Sequence, residues 1–207
     1  MERERKGPRG MVIGVLALQG SFAEHIDMLT DMGVEAIPIR KPEQLDELEG
    51  LIIPGGESTT IGKLASTFGL IEPLREFGAR APIWGTCAGA IFLSQDARRE
   101  QPLLGLMDII VERNAFGRQV DSFEVDLIVD EIEDPERPFH AIFIRAPLIE
   151  SVGKGVAVLA RVKDSGSEAS IVAARDGHFL ATSFHPELTR DDRFHRYFLN
   201  LIEEDRA

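Results

Sequence analysis

Among 207 residues there is one cysteine, Cys87, one tryptophan, Trp84, and one tyrosine, Tyr197. A lone cysteine cannot close an intramolecular disulfide, so the expected setting is a reducing one and the expected localisation cytoplasmic. It cannot supply the thiolates of a zinc cage either, and no His-Glu-x-x-His pattern is present, so neither a metal nor a cofactor is expected. Apolar runs of about 18 residues are missing. "MERERKGPRG" followed by a short run broken at Gln19-Gly20 does not read as a signal peptide, so no membrane association is expected. Basic residues are scarce: 23 Lys and Arg face 35 Asp and Glu, a formal charge of −12. Nucleic acid is held by cations that neutralise phosphates, and this balance is the opposite one, so no nucleic-acid partner is expected.

What is present suits a globular enzyme-sized domain. The chain is 43% hydrophobic and 28% charged, and a domain of this length buries about 70% of its unfolded surface without a covalent staple. Residues 1–10 carry basic charge without periodicity and are expected to be a poorly ordered tail, with residues 11–207 forming one domain. "MVIGVLAL", "VEAIPI", "LIIP" and "APIWG" read as buried strands. Helical runs separate them: "SFAEHIDMLTDMG", with Ser21 as N-cap and Glu24 at the capping-box position, and "STTIGKLASTFGLIEPLREFGAR", interrupted near Gly69. After the cysteine "AGAIFLSQDA" reads as a helix. This alternation predicts an α/β fold with a mostly parallel, doubly wound sheet. In the second half, "DIIVERN", "SFEVDLIV", "FHAIFI", "VAVLARV", "ASIVAARDG" and "HFLATSF" are closely spaced strands suited to antiparallel pairing, before an amphipathic C-terminal helix with Phe194, Phe198, Leu201 and Ile202 on one face.

Cys87 sits between a strand and a helix in Gly85-Thr86-Cys87-Ala88-Gly89. Strand, Gly-x-Cys-x-Gly, helix is the geometry of a nucleophile elbow, whose tight turn leaves room only for small residues on either side. A helix N-terminus favours a thiolate, and the Ala88 N–H is free to serve as an oxyanion donor. A thiol packed in the core is the competing reading.

A cysteine nucleophile needs a base, and the base needs an orienting group. Of five histidines, His25 and His195 lie in helical runs and read as solvated or half-buried surface residues, while His140 and His178 open strands. His185 differs. In "ATSFHPEL" a strand ends, Pro186 forbids helical geometry at His185, and Glu187 can fold back onto an extended His-x-Glu.

"PGGESTTIGK" suggests a phosphate-binding loop but fails on spacing: five residues separate Gly56 from Gly62 where four are needed, and Leu64 follows Lys63 in place of a hydroxyl. The Gly55-Gly56 pair can instead bring backbone N–H groups to a ligand, ahead of a helix capped near Ser58. The loop is therefore a candidate for the second oxyanion donor.

Pro54-Gly55-Gly56, Gly85-Thr86-Cys87-Ala88-Gly89 and His185-Pro186-Glu187, in that order, resemble the class I, triad-type glutamine amidotransferases. "LALQGSFAEH", "PGGESTTIGKL", "VERNAFGRQVDSFE", "FIRAP" and "SFHPEL" narrow the resemblance to the glutaminase subunits of pyridoxal 5′-phosphate synthase, the PdxT/SNO family. The resemblance implies a flavodoxin-like three-layer αβα sandwich and hydrolysis of L-glutamine to L-glutamate and ammonia by Cys87, His185 and Glu187. It implies contacts to glutamine from Gly55, Gly56, Glu57, Arg113, Ile144 and Arg145, and Gln19 at the crevice edge is expected to couple partner docking to the site. The implied partner is PdxS, a TIM-barrel synthase subunit that uses the ammonia in vitamin B6 biosynthesis, in a twelve-plus-twelve complex. On local sequence alone Arg113 and Arg145 are either carboxylate clamps or surface residues, and Glu57 is either an ammonium contact or a helix-start charge. The alternatives are the glutaminase subunit of another amidotransferase and a catalytically silent regulatory subunit.

Overall fold

The computed structural model describes residues 10–113, 122–163 and 169–206. Nine of the ten residues of the expected tail, and residues 114–121 of the "VERNAFGRQVDSFE" stretch, lie outside them. The β-branched runs become β1 (Val12–Leu16), β2 (Glu35–Ile39), β3 (Gly50–Ile53) and β4 (Ile83–Thr86), connected through α1 (Phe22–Asp31), α2 (Ser58–Thr67) and α3 (Ile71–Gly78). Gly69, at φ +66°, separates α2 from α3, as its place in the sequence predicts.

The helix after the cysteine is shorter than expected. α4 covers only Ala88–Leu93; the Ser94 hydroxyl then donates to the Ile91 carbonyl and the chain extends into β5 (Ser94–Asp96). The strands β6 (Met107–Glu112), β7 (Ser122–Leu127), β8 (Phe139–Ile144), β9 (Leu148–Val152), β10 (Ala157–Val162), β11 (Ser170–Asp176) and β12 (Phe179–Thr182) follow, then α5 (Arg193–Asp205). Of these, β9 lacks the alternation that would have announced it.

The main sheet runs β2-β1-β3-β4-β12-β11-β9-β6-β5, with β10 also paired to β11. Its first five strands are mutually parallel, and β11, β9 and β10 add antiparallel pairings. Strands β7 and β8 form a separate antiparallel pair. Alternate residues divide the core into two layers. Ile13, Val15, Ile52 and Trp84 pack towards Leu29 of α1 and Phe194 and Phe198 of α5. Leu51, Ile53 and Ile83 pack towards Ile61 of α2, Leu74 and Phe77 of α3 and Phe92 of α4. The result is the αβα sandwich.

One feature of the sheet positions the site. β12, late in the chain, lies parallel beside β4, with Thr182 opposite Thr86. The carboxyl ends of β1, β3, β4 and β12 therefore open onto one edge. β1 is flanked by β2 and β3, so the order reverses there, which is where open α/β sheets form a crevice.

Candidate active site

Cys87 stands at φ 49° and ψ −108°, a left-handed conformation that costs a residue with a side chain about 1–3 kcal/mol and persists only where surroundings enforce it. The Cys87 N–H donates to the Thr182 carbonyl at 2.7 Å, and the Cys87 carbonyl accepts from Ala90 N–H at 3.1 Å. The flanking glycines are required sterically. A Cβ on Gly85 would lie 2.6 Å from the Gly89 backbone, and one on Gly89 would overlap the Ile53 carbonyl oxygen. Ala88 begins α4, so its N–H has no partner within the helix. The Cys87 thiol lies 3.9 Å from the Ile144 carbonyl.

His185 follows β12, its N–H donating to the Ile142 carbonyl of β8 at 2.9 Å. The segment after it is not extended: Pro186–Leu188 is one 3-10 turn, and that curl returns Glu187 to the imidazole. His185 Nδ1 lies 2.7 Å from Glu187 Oε1. A carboxylate accepts, so Nδ1 carries the proton and Nε2 is left to exchange one with Cys87. Burial opposes charge on His185, but hydrogen bonding and charge from Cys87 and Glu187 outweigh it and raise the imidazole to about 10. Burial likewise opposes ionisation of Glu187, yet the neighbouring His25, His185 and the Ser21 hydroxyl bring its carboxyl down to about 2.

Ser21 does not cap α1 through its side chain. Its hydroxyl donates instead to Glu187 Oε1 at 2.6 Å. The residues around it fasten the glycine loop: the Ser21 N–H donates to the Gly55 carbonyl at 3.1 Å, and Gln19 Oε1 accepts from Glu57 N–H at 2.7 Å. Gly20, at φ +100°, presses so closely that a Cβ there would overlap the Gly55 oxygen. Gly55 itself lies against the His185 ring and Cys87.

Glu57 is the N-cap of α2, accepting from the Thr59 and Thr60 N–H groups at 3.2 and 2.8 Å. Partial burial would raise its carboxyl, but these bonds, the Thr60 hydroxyl and Arg113 lower it to about 2. Arg113, just past β6, lies 3.0 Å from Glu57 and donates to the Thr59 hydroxyl at 3.1 Å. Arg145 adopts φ 45° at the end of β8.

A cavity of about 520 Å³ gathers Gln19, Gly56, Glu57, Cys87, Ala88, Arg113, Ile144, Arg145 and His185, within the size range of small-molecule sites. Ser58, Ile91, Ser122 and Pro147 also line it and are not among the site residues the sequence predicts. Glu187 stands behind His185, outside the cavity. The reading of His25 and His195 as surface or half-buried residues is wrong: both are completely buried. Phe22, His25, Ile26 and Leu29 share a helical face, and that periodicity points His25 inward.

A nucleophile, a base held in one tautomer, an orienting carboxylate and free backbone donors at a helix start are the parts of acyl transfer through a covalent intermediate. A model of the SNO glutamine amidotransferase family matches residues 15–204. Relatives called "Pyridoxal 5'-phosphate synthase subunit PdxT" include one from Herpetosiphon aurantiacus, 58% identical over 92% of this chain and 100% of that one. Another, from Frankia alni, is 54% identical over 95% and 96%. A solved structure described as "Crystal structure of glutamine amidotransferase" superposes with a TM-score of 0.85 at 51% identity, covering 92% of this chain and 98% of that chain.

Proposed function

This chain belongs to the SNO glutamine amidotransferase family, and from that membership we propose that it is the glutaminase subunit of a pyridoxal 5′-phosphate synthase, with residues 11–207 as its single glutaminase domain. The observation that carries the chemistry is Cys87, held in a strained elbow, facing a histidine whose far nitrogen is fixed by Glu187 at 2.7 Å. His185 takes the thiol proton, and the Cys87 sulfur attacks the carboxamide carbon of L-glutamine. The oxyanion forms within reach of the Ala88 and Gly56 N–H groups. The Gly55 carbonyl is bound to Ser21, and in a trans peptide the Gly56 N–H then points away from that loop. Collapse of the intermediate breaks the C–N bond, and the imidazolium gives its proton to the leaving ammonia. Water, deprotonated by His185, cleaves the γ-glutamyl thioester and releases glutamate and the thiol.

Glutamine is a zwitterion at its other end. Arg113 and Glu57, paired in the cavity wall, offer a cation for its α-carboxylate and an anion for its α-ammonium. Arg145 and the Ile144 carbonyl complete the contacts, with Gly56 in the cavity wall and Gly55 behind it against His185 and Cys87.

Ammonia protonates in water, so its use requires direct transfer to a synthase. The proposed partner is PdxS, a TIM barrel, in a twelve-plus-twelve complex acting in the cytoplasm. In this reading Gln19 couples docking to catalysis, and its bond to the Glu57 N–H beside the oxyanion loop supports that role. The deciding experiment measures glutamate release from glutamine with and without the synthase subunit. Release is expected to rise with the subunit and to vanish in Cys87→Ala. Activity surviving that substitution removes the mechanism, and activation by a different synthase removes the assignment to vitamin B6 biosynthesis.

A further inference from the structure

Two histidines that the reaction does not use meet beneath the triad. His25 of α1 and His195 of α5 are fully buried, with His25 Nδ1 2.9 Å from His195 Nε2. On its other side, His25 Nε2 stands 3.3 Å from Thr86 Oγ1 and 3.3 Å from Glu187 Oε2. Both rings lie edge-on to Trp84, at centroid distances of 5.7 and 4.9 Å. Burial holds both imidazoles below their ordinary values, outweighing for each the attraction of Glu187. A neutral imidazole has one donor and one acceptor nitrogen, so the contacts can run in only two directions.

If His25 donates to His195, His195 Nε2 must accept and its proton sits on Nδ1. That atom is buried and has no hydrogen-bond partner among the described residues, and orphaned buried N–H groups are rare. The same direction leaves a lone pair on His25 Nε2 3.3 Å from an anionic carboxylate oxygen, Glu187 Oε2, which has no hydrogen-bond partner among the described residues. The opposite direction turns the orphan at His195 Nδ1 from an N–H into a lone pair, the more tolerable of the two, and faces Glu187 Oε2 with an N–H in place of a lone pair.

We propose that His195 and His25 are both Nε2–H tautomers, a relay running from His195 through His25 to Glu187, and that His25 is a positioning residue for the triad carboxylate. Glu187 Oε1 is then held by Ser21 and His185, while the His25 Nε2–H, which reaches Thr86 Oγ1, also faces Oε2 at 3.3 Å as a charge–dipole contact. Two donors at Oε1 and the N–H dipole facing Oε2 fix the rotation of the carboxylate. A neutral imidazole does this without adding a cation that would compete with the His185 imidazolium for Glu187. His195, carried by a helix anchored through Phe194 and Phe198, sets the tautomer of His25.

This inference rests on the glutaminase reading for its kinetic consequence and on the geometry alone for its tautomers, so two measurements separate them. In the full-length protein with ¹⁵N-labelled histidine, long-range nitrogen–proton spectra at neutral pH should show both residues protonated only at Nε2. An Nδ1–H form or an imidazolium at either overturns the proposal, whether or not glutamine is turned over. With the synthase subunit present, His25→Leu should lower kcat for glutamine about 3- to 10-fold, as for loss of a modest polar contact. KM should change little, and His25→Gln, which returns an N–H near the Nε2 position, should restore most of kcat. A folded His25→Leu enzyme with wild-type kcat, or equal loss in the Gln variant, also overturns it. If the Leu variant does not fold, the Gln variant and the wild-type spectra still decide. A wild-type protein without glutaminase activity beside its synthase defeats the functional reading and leaves the spectra as the test of the relay.

Discussion

His185 and Glu187 of the proposed triad owe their states to neighbours whose own roles are set elsewhere. Ser21 illustrates this. Its position before an amphipathic run, with Glu24 three residues on, has the pattern of a capping box, yet its hydroxyl goes to Glu187 Oε1. The reason is energetic: an exposed helix N–H can bond water, whereas a carboxylate that is 5% exposed depends on protein donors. Ser21→Ala is therefore expected to cost about 1.5–3 kcal/mol in urea denaturation, the range for a hydrogen bond to a charged group, and not the smaller loss of a surface cap. A midpoint unchanged from wild type would remove Ser21 from the triad's support. The glycines around Cys87 are the opposite case. Their reason was legible in the sequence, because a tight strand-to-helix turn excludes side chains whatever surrounds it, and the overlaps at Gly85 and Gly89 agree.

Among the elements, the β1–α1 connection joins the two halves of the machinery. Gln19, Gly20 and Ser21 touch the glycine loop on one side and the triad carboxylate on the other. A partner that presses on this connection would reach both. Gln19→Ala removes one hydrogen bond from the Glu57 N–H, and partner-stimulated glutaminase activity should fall about 3- to 10-fold, with affinity for the synthase subunit preserved in sedimentation or calorimetry. Unchanged docking together with unchanged stimulated activity would show that Gln19 carries no coupling. Element boundaries were less legible than element types. Helix α4 ends early because Ser94 bonds back to the Ile91 carbonyl, a local competition that apolar periodicity does not reveal. The inward direction of His25, by contrast, is written in the spacing Phe22, His25, Ile26, Leu29, where position on the helix outweighs residue type.

For the whole molecule, the buried charged pair makes stability depend on pH from both sides. Glu187 is lowered from 4.5 to about 2. Its contribution is present above about 4.5 and is lost as pH falls towards 2, where the folded state must also take up the proton. His185 is raised from 6.5 to about 10. Its contribution is complete below about 6.5 and is lost as pH rises through 10, because the folded state holds a proton that the unfolded chain releases. Melting temperature should accordingly decline on both limbs. Glu187→Gln should flatten the acid limb, and His185→Gln the alkaline one. An alkaline limb unaltered by His185→Gln would mean that other groups govern it.

The sequence by itself determined the features that depend on near neighbours. Apolar runs bounded by glycine and proline specified the strands, Gly-x-Cys-x-Gly specified the elbow, and Pro186 forbade helix at His185. The short-range sterics of the backbone act over a few residues, so a few residues suffice to read them. Only the tertiary structure decided what meets across the fold. It set β12 against β4, so that His185 arrives beside Cys87, and it brought Ser21 to Glu187 and His25 to His195 across 166 and 170 residues of chain. It also paired Arg113 with Glu57. A polar side chain near a core bonds to whichever partner the packed elements bring within reach, and that choice exists only once the layers have closed.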